Sequence, residues 1–225
     1  MKTLAVIPAR RGSTTLINKN IYQLKDKPLM RWITEAVVKS ECFEKILIST
    51  DNDLYFDTVS DLPVESHVRP EAHATTKATV LDAMIDLMQD QKGYDAFAYF
   101  LPTCPFVSVD DIKKGFETLA DGQCDSVVSM TEIPETIQLA CLMSQDNSVL
   151  PVFDNLESGL TNSKFIKKYH KPSGAFYMAL WGHLLENKNF FKGSTKGVII
   201  PPERSIDINT LQDMKYAESI IWYKI

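Results

Sequence analysis

Short runs of β-branched and aromatic residues alternate along this chain with longer stretches whose apolar positions recur every three or four residues. The short runs predict strands over 4–8, 45–50, 96–101, 126–130, 174–179 and 198–201. Several are apolar almost throughout, as parallel strands covered on both faces are. The longer periods predict helices over 29–40, 53–59, 79–91, 109–119 and 211–222. In the third of these, Val80, Ala83, Met84, Leu87 and Met88 fall on one helical stripe and read as core. Ser108 or Asp110 is placed to cap the fourth. This alternation predicts an α/β fold, a Rossmann-like mainly parallel sheet with helices on both faces. Such sheets bind ligands beyond the carboxyl ends of their strands. One stretch, 132–172, breaks the rhythm. It is loop-rich and ends in the basic run from Lys164 to Lys171. An irregular insert of that length serves function or packs on a partner.

The chain has 225 residues, which fits a single domain spanning 1–225. Acidic residues outnumber basic ones, 29 to 24, giving a net charge of −5. That balance argues against non-specific nucleic-acid binding. No apolar run approaches the roughly 20 residues of a membrane span. The first apolar stretch runs straight into Arg10-Arg11 and is too short for a signal peptide, so a cytoplasmic location is expected. Cys42, Cys104, Cys124 and Cys141 form no CxxC pair and read as buried thiols, not as zinc ligands or a disulfide framework. His67, His73, His170 and His183 show no metal-ligand spacing.

Candidate chemistry gathers after the strands. The first strand empties into Pro8-Ala9-Arg10-Arg11-Gly12-Ser13, followed by Lys19-Asn20. Gly12 permits close backbone approach, and backbone N–H groups with Arg10 and Lys19 suit a triphosphate. The loop is neither GxxxxGK[ST] nor GxGxxG. The second strand ends in Ser49-Thr50-Asp51, which suits either a site or a helix N-cap. The third ends in Leu101-Pro102-Thr103-Cys104-Pro105, a turn stiffened by two prolines that is expected to hold Thr103 outward. Cys104 has no His nearby in sequence to make it a nucleophile. Ahead of the last helix, Asp207 and Asn209 alternate around Ile208 and can point the same way. Their oxygens are suitable Mg²⁺ ligands, or Asn209 or Thr210 caps the helix.

Taken in order, these segments resemble the cytidylyltransferases that activate 2-keto sugar acids. The acylneuraminate (CMP-sialic acid) synthetases are nearest and the Kdo synthetases more distant. The family loop PARxGSKxxxxKN reads Pro8-Ala9-Arg10-Arg11-Gly12-Ser13-Thr14, then Lys19-Asn20. VSTD reads Ile48-Ser49-Thr50-Asp51, and RP reads Arg69-Pro70. LQPTSPLR reads Phe100-Leu101-Pro102-Thr103-Cys104-Pro105-Phe106-Val107. PNGAIY reads Pro172-Ser173-Gly174-Ala175-Phe176-Tyr177, and SIDID reads Ser205-Ile206-Asp207-Ile208-Asn209. The resemblance implies the nucleotide-diphospho-sugar transferase type of fold and attack of a sugar-acid hydroxyl on the α-phosphate of CTP, giving a CMP-sugar and pyrophosphate. It implies Arg10, Lys19 and Asp207 as catalytic, and Arg10, Arg11, Gly12, Ser13, Lys19, Asn20 and Arg69 as nucleotide-binding. It places Thr103, Tyr177 and Lys171 at the acceptor, and Asp207 and Asn209 at Mg²⁺. The implied partners are CTP, a small acidic sugar and a second copy of the chain joined through the insert, in surface-glycan synthesis.

The chain departs from that pattern at charge-handling and sugar-reading positions. The lysine after Gly-Ser is Thr14, the second carboxylate of SIDID is Asn209, and the Gln before Pro-Thr is Leu101. The following Arg is Val107, the Asn of PNGAIY is Ser173, and the arginine before that segment is Lys171. Two other readings follow. One is a nucleotidyltransferase for a phosphorylated or phosphonate acceptor, with charge from Arg11 or the run from Lys164 to Lys171. The other is a non-catalytic nucleotide-binding relative.

Overall fold

The computed structural model describes residues 1–12, 16–73, 79–134 and 136–223. Its main sheet is built from β1 (Thr3–Pro8), β4 (Lys45–Thr50), β5 (Glu65–Val68), β6 (Ala96–Phe100), β7 (Ser126–Glu132), β10 (His170–Leu180) and β11 (Thr195–Ile199), in the order β11-β7-β10-β6-β1-β4-β5. Small antiparallel hairpins add β2 (Gln23–Leu24) with β3 (Lys27–Pro28), and β8 (Cys141–Met143) with β9 (Val149–Pro151). The sheet is mostly parallel; β10 alone of its seven strands runs antiparallel, to both β6 and β7. The reversal brings the amino end of β10 to the carboxyl ends of its neighbours, where a bulge between Pro172 and Tyr177 interrupts the pairing.

Alternation along the strands sorts the two faces. Ala5, Ile7, Ile46 and Ile48 pack with helices α1 (Leu29–Ser40), α2 (Asp53–Asp57) and α4 (Val109–Ala120). Leu4, Val6, Leu47 and Phe97 face α3 (Val80–Asp90) and α5 (Trp181–Asn187). Helices thus cover both faces. The last helix, α6 (Leu211–Tyr223), packs beside the β2–β3 hairpin around Leu24, Leu29 and Ile208. Thr79 and Ser108 each make a capping box, with Asp82 and Asp111, so Ser108 and not Asp110 opens α4.

The sequence-based expectations meet the structure closely at the centre of the sheet and less well at its edges. The helix over 29–40 and the strand over 45–50 have the expected bounds. The strand expected over 198–201 instead spans Thr195–Ile199, because Pro201 and Pro202 turn the chain. Strand β5 was not expected at all. Both lie at sheet edges and are half-exposed, so neither needs a continuous apolar run. Val80, expected in the core, is only half-buried. Between β7 and β10 the β8–β9 hairpin stands off the sheet and leaves Leu142, Met143, Val149 and Leu150 exposed.

Candidate active site

The carboxyl ends of β1, β5 and β6 open onto one cleft of about 280 Å³. Its walls are Pro8, Arg10, Lys19, Asn20, Arg69, Val80, Leu101, Pro102, Thr103, Asp207 and Asn209. The β1 end is fixed first: the Ala9 N–H donates to the Ser49 carbonyl at 2.9 Å and prolongs the β1–β4 ladder. Buried Asn20 then donates from Nδ2 to the Arg10 carbonyl at 3.1 Å, folding the loop back on itself. The Arg11 N–H donates to Asp51 Oδ1 at 2.7 Å. Asp51 therefore organises the loop, while Asn52 caps α2 by accepting from the Leu54 N–H. Arg11 and Gly12 are exposed and stand outside the cleft walls. Ser13 and Thr14 lie outside the described residues.

Three cationic side chains face this space. Arg69 is only 4% exposed. Its N–H donates to the Thr50 carbonyl at 2.9 Å and its Nε to the His73 carbonyl at 3.0 Å. Among the described residues no carboxylate accepts a hydrogen bond from it. Burial, with the nearby Arg10 charge, lowers its pKa from the usual arginine value, against a pull from Asp51. The Lys19 pKa is lowered as well, chiefly by burial; Asp207, Cys104 and Asp213 act to raise it, and Arg10 adds to the lowering. Cations gathered in a half-dry cleft suit an anion.

The opposite wall comes from the segment before α6. The Ile208 N–H donates to the Thr103 carbonyl at 2.9 Å, and the Ile208 side chain is fully buried, which turns Asp207 and Asn209 toward the cleft. Thr103 is not held out to solvent as expected. It is 6% exposed, and its hydroxyl donates to Asp207 Oδ1. Asn209 Nδ2 donates to Asp207 Oδ2 at 3.0 Å, and Lys19 Nζ donates to Asn209 Oδ1 at 2.6 Å. Thr210, not Asn209, provides the helix cap: its hydroxyl accepts from the Asp213 N–H at 3.2 Å while Asp213 Oδ2 accepts from the Thr210 N–H at 2.8 Å. Farther out, the Arg204 fork grips both oxygens of Asp111. Burial opposes the Asp111 charge, yet Arg204 and the Ser108 N–H outweigh it and keep its pKa low.

Of the acceptor candidates, Thr103 lines the cleft. Tyr177 does not. Its ring stacks on Tyr99 at 4.8 Å and packs near Phe190, and burial raises its pKa, with the Cys104 and Asp207 charges adding. Lys171 is exposed at the start of β10, opposite Thr131. Gly174 lies in the β10 bulge at φ +84, close against Leu101 and Cys104. Cys104 is 1% exposed and its thiol pKa is raised well above the usual value by burial, consistent with packing and not nucleophilic duty. Sequence reasoning missed Val80 and Pro102 as cleft walls and Asp111 as the anchor of Arg204. The first two carry no chemical signal, and the last pair is separated by 93 residues.

A cation-lined cleft at the carboxyl edge of a mostly parallel sheet, with Asp207 the one carboxylate among its described walls, is the arrangement of the nucleotide-binding α/β class. A solved CMP:2-keto-3-deoxy-manno-octonic acid synthetase complexed with CTP has the same fold, with a TM-score of 0.72 at 14% identity over all of both chains. The cytidylyltransferase family model matches residues 4–178, and the chain belongs to that family. It is 35% identical over 97% of its length to an N-acylneuraminate cytidylyltransferase of Escherichia coli, spanning 52% of that protein. It is 31% identical to a CMP-N,N'-diacetyllegionaminic acid synthase of Legionella pneumophila, covering 98% of this chain and 97% of that protein. The chain thus spans about half the length of the first relative and nearly all of the second.

Proposed function

We propose that this protein transfers the cytidylyl group of CTP to a sialic-acid-like 2-keto sugar acid for surface-glycan synthesis. The sugar hydroxyl oxygen bonds to the α-phosphorus and loses its proton, the bond from that phosphorus to the bridging oxygen breaks, and pyrophosphate leaves. The observation that carries this reading is the convergence of Arg10, Lys19 and Arg69 on one cleft facing Asp207. Negative charge builds on the phosphates during transfer, and preorganised cations stabilise it without reorganising. Arg10, Lys19 and Arg69 hold the triphosphate. Asn20 fixes the loop through the Arg10 carbonyl.

The oxygen donors at Asp207 and Asn209 fit Mg²⁺, a hard cation that takes one or two carboxylates and completes its shell with phosphate and water. Asp207 would hold it, with Asn209 alongside; when bound, the ion neutralises phosphate charge and makes the attacking hydroxyl more acidic. Thr103 borders the acceptor side, Tyr177 backs it, and Lys171 supplies positive charge for the sugar carboxylate. The protein acts as a homodimer through the 132–172 insert. Exposed Leu142, Met143, Val149 and Leu150 on the β8–β9 hairpin, with exposed Phe165 later in the insert, support that reading, being more apolar surface than so short a segment would leave in water.

Thermal melting with CTP, UTP, GTP or ATP, each with and without Mg²⁺, tests the assignment. Ligand at 100 times its Kd stabilises by about 2.7 kcal/mol, which is roughly 5–11 °C for a chain of this size. A CTP-selective shift, followed by pyrophosphate release with a sialic-acid-like sugar acid, is the expected result. Equal shifts with all four nucleotides, or none, would overturn it.

A further inference from the structure

The side chain of Asn209 stands between the two charges that matter most in the cleft. Its amide nitrogen donates to Asp207 Oδ2 at 3.0 Å, and its amide oxygen accepts from Lys19 Nζ at 2.6 Å. Only an amide can do both. A carboxylate at 209 could accept from Lys19, but it has no proton to give Asp207, and it would set a second negative charge about 3 Å from the first. Two carboxylates that close repel unless a cation joins them or one takes a proton. The remaining Asp207 oxygen is already engaged by the Thr103 hydroxyl. Among the described residues no group of three His, Cys, Asp or Glu side chains is arranged to hold a metal. Asp207 is also the only carboxylate among the described cleft walls.

We infer that Asn209 closes this site in the absence of substrate by an internal hydrogen-bond chain, Thr103–Asp207–Asn209–Lys19, in place of a bridging cation. The divalent ion then enters only together with the nucleotide triphosphate. The inference rests on the nucleotide-cleft reading above and deepens it. Polyphosphate supplies the oxygen ligands that the protein lacks, and it also draws Lys19 away from the Asn209 oxygen. A hard dication with one protein carboxylate and otherwise water is bound weakly. With phosphate oxygens beside that carboxylate, the site would offer the hard oxygen donors such an ion needs.

The test compares the wild-type protein with Asn209→Asp by thermal melting and isothermal titration in chelator-treated buffer, using MgCl₂ or MnCl₂ alone, CTP alone, and metal with CTP. In the wild type, metal alone leaves the melting temperature unmoved and gives no saturable heat, whereas metal added with CTP raises the melting temperature beyond CTP alone. Asn209→Asp melts lower than the wild type in metal-free buffer. MnCl₂ alone recovers the loss and binds the variant at least tenfold more tightly than the wild type. Saturable binding of metal to the nucleotide-free wild type would overturn the inference, as would a variant no more responsive to metal. The wild-type arms decide the question even where the variant does not fold. A protein that ignores CTP in every condition refutes the cytidylyltransferase reading instead, and the metal-alone arms still score the role of Asn209.

Discussion

Replacing Arg69 with Met separates a ligand-binding cation from a structural one. Arg69 is nearly fully buried, its Nε reaches the His73 carbonyl, and Arg10 lies close enough to lower its pKa. Without a ligand this arrangement works against the fold, because burial and a like charge both disfavour the guanidinium. Met keeps much of the apolar stem and removes the charge. The lost hydrogen bond to His73 costs about 1 kcal/mol, and release from desolvation and Arg10 repulsion offsets it. The melting temperature should therefore move by no more than about 4 °C in either direction. CTP binding changes far more. A charge-assisted hydrogen bond contributes about 1.5–3 kcal/mol, so affinity should fall roughly 10- to 150-fold. Arg69→Lys keeps the charge without the fork and should fall between. Calorimetric titration with CTP and scanning calorimetry of the free proteins provide both numbers. A drop of 10 °C or more with unchanged CTP affinity, on the scale set by chain length, would show that Arg69 is a structural pin and refute the reasoning.

Removing Arg204, the half-buried partner of buried Asp111, acts in the opposite sense. Arg204→Leu leaves Asp111 in a mostly buried site with only the Ser108 groups, a loss of about 3 kcal/mol, read as a melting temperature lower by roughly 6–12 °C; a change under 2 °C would mean the pair is idle. Gly174→Ala places a Cβ at φ +84 against Leu101 and Cys104. The left-handed backbone costs about 1–2 kcal/mol, and an unaltered melting temperature would contradict the bulge geometry. Burial, helped by Arg69, lowers the His67 pKa against pulls from Asp90 and Asp86. The unfolded histidine therefore binds its proton first, so the stability of the neutral form is present above about pH 6.5 and is lost as pH falls through the depressed folded value. His67→Gln should lose less stability than the wild type between neutral and mildly acid pH in urea titrations, and equal losses in both proteins would count against that assignment.

The sequence exposed Arg10 and Thr103 because each follows a strand end, where a buried apolar run stops and charged or small residues begin; Arg69 and Asp207 were legible only through the motifs that contain them. Arg10, Lys19, Asn20, Arg69, Thr103, Asp207 and Asn209 all reach the cleft, although they come from segments nearly 200 residues apart. What could not be read was the orientation of β10. An apolar run such as Ala175-Phe176-Tyr177-Met178 fits a strand of either direction. Its antiparallel register puts Tyr177 against Tyr99 and Phe190, behind the cleft and not on its wall. Nor does local sequence reveal that the Thr103 hydroxyl turns inward. Proline stiffens that turn, but the direction is set by Asp207, 104 residues away. Edge strand β5 was illegible, and β11 was legible only at its end, for a third reason: half in water, their side chains answer to no single face.

The segment before α6 shows why charged positions in this cleft can change while the cleft persists. Residues 204–210 are held by contacts that owe nothing to a substrate. Ile208 is fully buried, its N–H is tied to Thr103, Arg204 grips Asp111, and Asp213 binds the backbone of Asn209 and Thr210. Asp207 and Asn209 are thus carried on a backbone fixed on both sides of them. An exchange of carboxylate for amide at 209 alters charge and metal demand but leaves the backbone that carries both side chains fixed. The β1 loop is built on the same plan: Asn20 and Asp51 hold its backbone, and Arg10 and Lys19 supply the charge. Because separate residues carry placement and chemistry, the departures at Leu101 and Asn209 fall on side chains of an intact frame. They leave the contacts that form the cleft in place.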